Sequence, residues 1–143
     1  MKSIQRSAIV GHSAADMYAL VDDVASYPDF LPWCREASVQ AEGDAQRATL
    51  VAGMGGLRQS FTTLNRGRPG EAIDMQLVEG PFKRFEGAWR FTALSAHACR
   101  IDFSLRYQLA AGPLAKLLQP LFADMADTMV DAFTRRADAI HPR

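Results

Sequence analysis

The sequence has little cysteine, no excess of charge of either sign and no long apolar run. Its 143 residues carry 16 Lys and Arg against 16 Asp and Glu, so the formal net charge is zero. Proteins that bind nucleic acid by overall attraction usually have a basic excess. The balance therefore argues against DNA as a partner, and any contact with RNA must be local.

Apolar stretches of the length needed to cross a bilayer, ~20 residues, do not occur. No signal-peptide pattern follows Met1 either. We therefore expect a cytoplasmic protein, and the length favours a single domain over residues 1–143.

Cys34 and Cys99 lie far apart, and neither belongs to a CxxC pair or a Cys/His cluster. Two buried thiols are the simplest interpretation, with no metal site and no required cofactor. The three histidines, at positions 12, 97 and 141, have no carboxylate or thiol beside them in sequence. We interpret them as surface residues.

The chain alternates between two hydrophobic periods. Residues 2–10 read as a strand, Ser13 as the N-cap of a helix, and residues 37–109 have the period of two of antiparallel strands. From Leu114 the period becomes helical, to about Ala139, with Pro120 predicted to bend or restart the helix. This order predicts an α+β fold in which a curved antiparallel sheet of about seven strands wraps around one long C-terminal helix.

Large apolar side chains are predicted to face each other across that interface. Such walls either interdigitate as core or line an apolar ligand cavity. Gly87, on the inward face of its strand, leaves space and so favours a cavity. The candidate wall residues are Met75, Phe85, Trp89, Phe91, Phe103, Tyr107, Phe122, Met125, Met129 and Phe133.

Residues 27–34 form an apolar connector, Tyr-Pro-Asp-Phe-Leu-Pro-Trp-Cys, in which two prolines restrict the backbone. If this connector is exposed, it places apolar groups on the surface. We therefore assign Phe30, Leu31 and Trp33 to a cavity mouth or a membrane contact.

Two short basic spots flank turns, Arg66 with Arg68 and Lys83 with Arg84. Short spots of this kind are consistent with strand-end solubility or with a weak anionic contact. Acid–base chemistry has weaker candidates in Asp22, in Tyr107 or in a histidine.

The connector carries a resemblance to a known family. Residues 17–24, followed by the Tyr-Pro-x-Phe-Leu-Pro-Trp-Cys run, resemble the coenzyme-Q-binding, START-like family, also described as polyketide cyclase/dehydrase-like. Three later segments, residues 78–83, 87–91 and 129–133, fit as well, and the likeness covers about residues 3–136.

The resemblance implies a helix-grip fold around an apolar cavity. It also implies binding of ubiquinone or a similar polyprenyl lipid, in support of respiration or quinone biosynthesis, with transient contact at the inner membrane. Some bacterial members are ribosome association toxins, which implies the alternative of blocking subunit association by contacting the large ribosomal subunit. In that case we assign the ribosome contact to Arg66, Arg68, Lys83 and Arg84. The cyclase label implies no activity here, so our leading hypothesis is a lipid-binding protein that is not an enzyme.

Overall fold

In the computed structural model, which describes residues 1–141, one antiparallel sheet is closed by one long helix. The elements follow the chain as β1 (Lys2–Val10), α1 (Ala14–Asp22), a 3-10 helix (Val24–Asp29), β2 (Cys34–Glu42), β3 (Ala45–Met54), β4 (Leu57–Arg68), β5 (Ala72–Glu79), β6 (Phe82–Ser95), β7 (Ala98–Leu109) and α2 (Pro113–Ile140).

The sheet has seven strands in the order β1-β7-β6-β5-β4-β3-β2, and every neighbouring pair is antiparallel. From β2 onward each strand pairs with the next in sequence, and β1 returns to pair with β7. Side chains of one face pack on α1 and α2, while those of the other face meet solvent. The predicted α+β helix-grip fold is confirmed.

The first helix is held by its cap and by close packing on the sheet. The Ser13 hydroxyl accepts a hydrogen bond from the backbone N–H of Asp16, as expected for an N-cap. Further along, the Tyr18 hydroxyl lies where a Cβ would stand on Gly67 of β4, and its ring contacts Phe91. A glycine at position 67 therefore lets α1 approach the sheet.

The long helix α2 buries one stripe against the sheet, including Leu118, Leu121 and Phe133, all at 0% exposure. The expectation that Pro120 restarts the helix is wrong, because α2 is one helix from Pro113 to Ile140. The proline removes the hydrogen bond to the Lys116 carbonyl. Both residues are exposed, so water can hydrate that carbonyl and the helix continues.

The far end of α2 is tied to the start of α1. His12 is only 4% exposed, and its Nε2 lies 2.6 Å from Oδ1 of Asp138. The prediction of a surface histidine is thus wrong at this position, since a partner 126 residues away satisfies the ring. His97 is exposed as predicted, whereas His141 is half-buried with its ring 6.2 Å from that of His12.

Candidate ligand cavity and basic surfaces

An apolar cavity lies between the concave face of the sheet and α2. Its volume is about 60 Å³, and its lining is mostly aliphatic and aromatic. The polar exceptions include Thr63 and Asn65 on β4, where the Thr63 hydroxyl lies 2.8 Å from the Asn65 side-chain oxygen. The cavity is thus apolar with one polar spot.

Most of the predicted wall residues line this cavity. Those that do are Met75, Phe85, Trp89, Phe103, Phe122, Met125, Met129 and Phe133. Phe91 and Tyr107 do not, because they belong to the packed core. Phe91 contacts Tyr18, and Tyr107 contacts Phe82.

Strand β4 contributes wall residues that the sequence analysis missed. Phe61 stands among three other aromatic rings, with centroids 5.6–5.8 Å away. Thr63 and Asn65 share its face because they follow at intervals of two. Thr63 and Asn65 are polar and interrupt the apolar alternation that marks a buried strand face. Phe61 was therefore the one residue of the three whose apolar side chain indicated a wall position.

Aromatic packing makes the cavity small. At one end Phe82 packs on Phe122 at 4.7 Å, and at the other Phe133 packs on Tyr27 and Trp89, each at 5.3 Å between ring centroids. Pockets that bind small molecules usually measure ~300–1,000 Å³. The structure therefore shows a closed form that is too small for a quinone ring.

The space expected beside Gly87 is already filled. A Cβ added to Gly87 would lie 2.5 Å from the Cε atom of Met75 and 3.6 Å from Cδ1 of Leu105. Met75 pairs with Gly87 across β5 and β6, so its flexible side chain lies over the glycine. The prediction of an empty space at Gly87 is wrong, although Met75 could move to enlarge the cavity.

The connector does not form an exposed apolar mouth. Leu31 and Trp33 are only 1% and 5% exposed, so their assignment to a surface contact is wrong in this form. The Leu31 N–H bonds to the Tyr27 carbonyl, and the Trp33 carbonyl accepts from Gly53 of β3, which turns both side chains inward. Phe30 is half-buried against Phe133, at 5.1 Å between ring centroids.

Trp33 carries a buried polar group without a partner. It lines the cavity, and its indole N–H has no hydrogen-bond partner among the described residues. Buried donors are nearly always satisfied, so this N–H is a donor that an acceptor could use. The hydroxyl of Tyr27, also in the lining, already donates to the Val21 carbonyl.

The acid–base candidates do not meet at the cavity. Asp22, Tyr107 and the histidines lie outside its lining, among the residues that the structure covers. Burial, followed by the charge of Asp23, raises the pKa of Asp22. Burial and then Asp127 raise the pKa of Tyr107. The lining therefore offers no pair of groups poised to exchange protons.

Both cysteines are buried and free, as predicted. Burial raises the pKa of the Cys34 thiol to about 11, and it also raises the pKa of Cys99. Within residues 1–141, no three His, Cys, Asp or Glu side chains are arranged to hold a metal ion. In the same range, no helix has the length and apolar character required to traverse a bilayer.

The two basic spots lie at opposite ends of the sheet. Arg68 is the last residue of β4 and pairs with Ala72 of β5, which in turn pairs with Arg90 of β6. Arg84 lies six residues before Arg90 on β6. Six strand residues span ~20 Å. The four basic residues proposed from sequence therefore do not form one surface.

The two spots also differ in their counter-charges. Arg66 is ion-paired with Asp44 at 3.4 Å and stands opposite Asp74 in the sheet. Lys83 and Arg84 are exposed and take part in none of the ion pairs of the described chain. Within the described chain, both cations of the spot on β6 lack an ion-pair partner, whereas in the other spot only Arg68 does.

A curved antiparallel sheet gripping one long helix over an apolar cavity defines a helix-grip, START-like domain. Residues 10–134 match the model of the family described as polyketide cyclase / dehydrase and lipid transport. The chain belongs to that family.

Curated relatives cover nearly the whole chain. The ribosome association toxin RatA of Pseudomonas aeruginosa is 46% identical over 140 residues, 96% of each chain. The protein of the same name in Escherichia coli K12 is 39% identical over 142 residues, 99% of this chain and 90% of that one. The coenzyme Q-binding protein COQ10 homolog B of Xenopus laevis is 28% identical, over 96% of this chain and 58% of its own.

Solved structures share the fold at low identity. The ZhuI aromatase/cyclase of Streptomyces sp. R1128 superposes with a TM-score of 0.81 at 18% identity, over 96% of this chain and 93% of its own. A START superfamily protein of Mycobacterium smegmatis gives 0.78, also at 18%, over 96% and 98%. Because the fold serves enzymes and other proteins alike, it does not define an activity.

Proposed function

We propose that this protein binds the large ribosomal subunit and inhibits the association of ribosomal subunits. The observation that carries the proposal is the pair of relatives named ribosome association toxin, 46% and 39% identical over 96% and 99% of this chain. This role would place the protein in the cytoplasm.

Two features of the site agree with this proposal. The cavity of about 60 Å³ is small for a lipid carrier, and its lining lacks a converging acid and base among the described residues. The basic spot at the start of β6 takes part in no ion pair of residues 1–141, so it can meet an anionic surface.

The test uses purified subunits, because slow growth of cells that make the protein would itself change the proportion of assembled ribosomes. Small and large subunits are mixed under conditions that allow association, with and without a molar excess of the protein, and separated on a sucrose gradient. We expect fewer assembled ribosomes and more free subunits. An unchanged gradient would contradict the proposal, and a START-fold protein of low identity serves as the control.

A second candidate function is binding of ubiquinone or a related polyprenyl lipid, as a ligand and not as a catalytic cofactor. The relative named coenzyme Q-binding supports it, as does the indole N–H of Trp33, which has no partner within the described chain. A quinone carbonyl could accept from that donor once Met75 or α2 moved outward. Loading from the inner membrane would then require transient contact with it.

Organic extraction of the purified protein followed by mass spectrometry tests this second function. We expect a quinone in the extract and less of it in the extract of Trp33→Phe, which removes the indole N–H and keeps an aromatic ring in the lining. Absence of lipid, together with no binding on titration with a short-chain quinone, would rule it out.

A further inference from the structure

Several cations converge at the end of the molecule where α2 begins. Phe82, next to Lys83, pairs with Leu109 at the end of β7, and its ring packs on Phe122 of α2. The Ala110 N–H also bonds to the Pro81 carbonyl at 2.8 Å. These contacts bring together the start of β6, the end of β7 and the start of α2.

Two further lysines lie at this end. Lys116 is exposed on the first turns of α2, and Lys2 pairs with Tyr107, two residues before the end of β7. We call the set of Lys2, Lys83, Arg84 and Lys116 the basic rim. None of the four takes part in an ion pair within residues 1–141.

Several arginines elsewhere on the sheet are ion-paired. Arg90 bonds to Asp74 at 2.9 Å, Arg100 to Asp102 at 3.2 Å, and Arg66 to Asp44. The exposed acids beside the rim on the strands are Glu79 at the end of β5 and Glu86, two residues after Arg84, so two carboxylates stand against four cations. A chain of zero net charge thus carries a local positive surface.

We propose that the basic rim is the surface that binds phosphates of ribosomal RNA, an inference that rests on the proposed ribosomal function. Long, exposed Lys and Arg side chains contact phosphates without reading sequence. Each contact releases counterions, so the affinity must fall with salt. Because the rim groups four cations that take part in no ion pair of residues 1–141, the attraction also orients the protein with the start of α2 toward the RNA.

The test compares charge reversal at the two basic spots. The rim variant is Lys83→Glu/Arg84→Glu/Lys116→Glu, and the matched control is Arg66→Glu/Arg68→Glu at the far end of the sheet. Binding of each purified protein to large-subunit ribosomal RNA is measured by filter retention over a salt series.

For the rim variant we expect an affinity loss of at least about tenfold and a salt slope that is smaller by about one for each cation removed. The control should lose less, within about threefold of the wild type, because Arg66 is already paired with Asp44 and only Arg68 is without an ion pair in residues 1–141. Equal losses in both variants, or no loss in the rim variant, would overturn the assignment. If charge reversal lowers the thermal melting point, Lys83→Gln/Arg84→Gln replaces it.

Exposed leucines allow a membrane partner to be distinguished. Leu114 and Leu117 are 47% and 63% exposed beside the basic rim, and a lipid surface would bury them. Leu114→Ser/Leu117→Ser should leave RNA binding unchanged. Flotation with phosphatidylglycerol vesicles that is lost in this variant, with RNA binding insensitive to the rim charges, would replace RNA by an anionic membrane and overturn the proposal.

The subunit-association assay separates the two proposals. If the wild type and the rim variant both block association, the ribosomal function stands and the proposal that the basic rim binds the RNA is wrong. If the wild type does not block association, the proposed function fails first.

Discussion

The two ends of α2 follow the same amphipathic pattern but have different surroundings. Phe133, near the C-terminal end, is fully buried, with its ring 5.1 Å from Phe30 and 5.3 Å from Tyr27. Leu114 continues the same stripe at the other end, yet it is 47% exposed because the sheet does not cover it there. Burial along a helix thus depends on where its partner surface ends.

Polar contacts increase the difference. The C-terminal half is tied by His12 to Asp138 and by the guanidinium of Arg136, 5.2 Å from the centre of the Phe30 ring. The N-terminal end has Gly112 as its N-cap, with no side-chain cap. One end therefore stabilises the fold, while the other leaves cations and leucines exposed to solvent.

The largest expected effect comes from truncation at the buried end. Phe133→Ala removes a fully buried ring, and we expect the free energy of unfolding to fall by ~3–5 kcal/mol. Leu117→Ala at the exposed end should change it by at most ~0.5 kcal/mol. Urea denaturation followed by circular dichroism measures both, and similar values would remove the contrast between the ends.

Thiol labelling compares the reactivity of a buried cysteine, Cys34 at the end of the connector, with that of a cysteine placed at the exposed end of α2. Because burial raises the pKa of Cys34 to about 11, the thiolate fraction at pH 8 is ~100-fold below that of an ordinary thiol, and reactivity should rise with pH up to about 11. A cysteine introduced as Leu117→Cys should react with iodoacetamide at least that much faster. Comparable rates in the native protein would show that the connector opens readily.

Replacing the proline should stabilise the exposed half of α2. Pro120→Ala restores a backbone N–H that can bond to the Lys116 carbonyl, and we expect a gain of ~1–3 kcal/mol. The melting temperature should rise without a change in the circular dichroism spectrum. A lower melting temperature would mean that the proline ring makes contacts that outweigh the hydrogen bond.

Loss of the tie at the C-terminal end should have the smallest effect. His12→Ala removes a buried ring and its hydrogen bond to Asp138, for which we expect ~1–2 kcal/mol in urea denaturation. Asp138→Asn retains a hydrogen-bonding group at the half-exposed partner and should cost less. A larger loss in the free energy of unfolding for Asp138→Asn than for His12→Ala would contradict this prediction.

Sequence patterns predicted the elements and most of the cavity wall. Alternation predicted that Phe85 and Trp89 share a face, and the helical period predicted that Met125 and Met129 oppose them. Phe91, on that same face, packs on Tyr18 and not on the cavity. Periodicity assigns a side chain to a face, but it does not say which element lies above it.

The connector and His12 also show that local sequence patterns do not predict contacts between distant residues. Two prolines predicted an ordered segment at residues 27–34, but not that Leu31 and Trp33 turn inward through bonds to Tyr27 and Gly53. Likewise, no local feature links His12 to a carboxylate 126 positions away. Such pairings are made only when the chain has closed on itself.

The sequence by itself determined the seven strands, the amphipathic C-terminal helix and the family, because side-chain direction and turn preference are local properties of the backbone. Only the tertiary structure decided that the cavity is closed to about 60 Å³, and that Arg66 is ion-paired while Lys83 and Arg84 take part in no ion pair of residues 1–141. Volume and ion pairing depend on residues from different strands and helices. A net charge of zero could therefore not reveal where the unpaired cations meet.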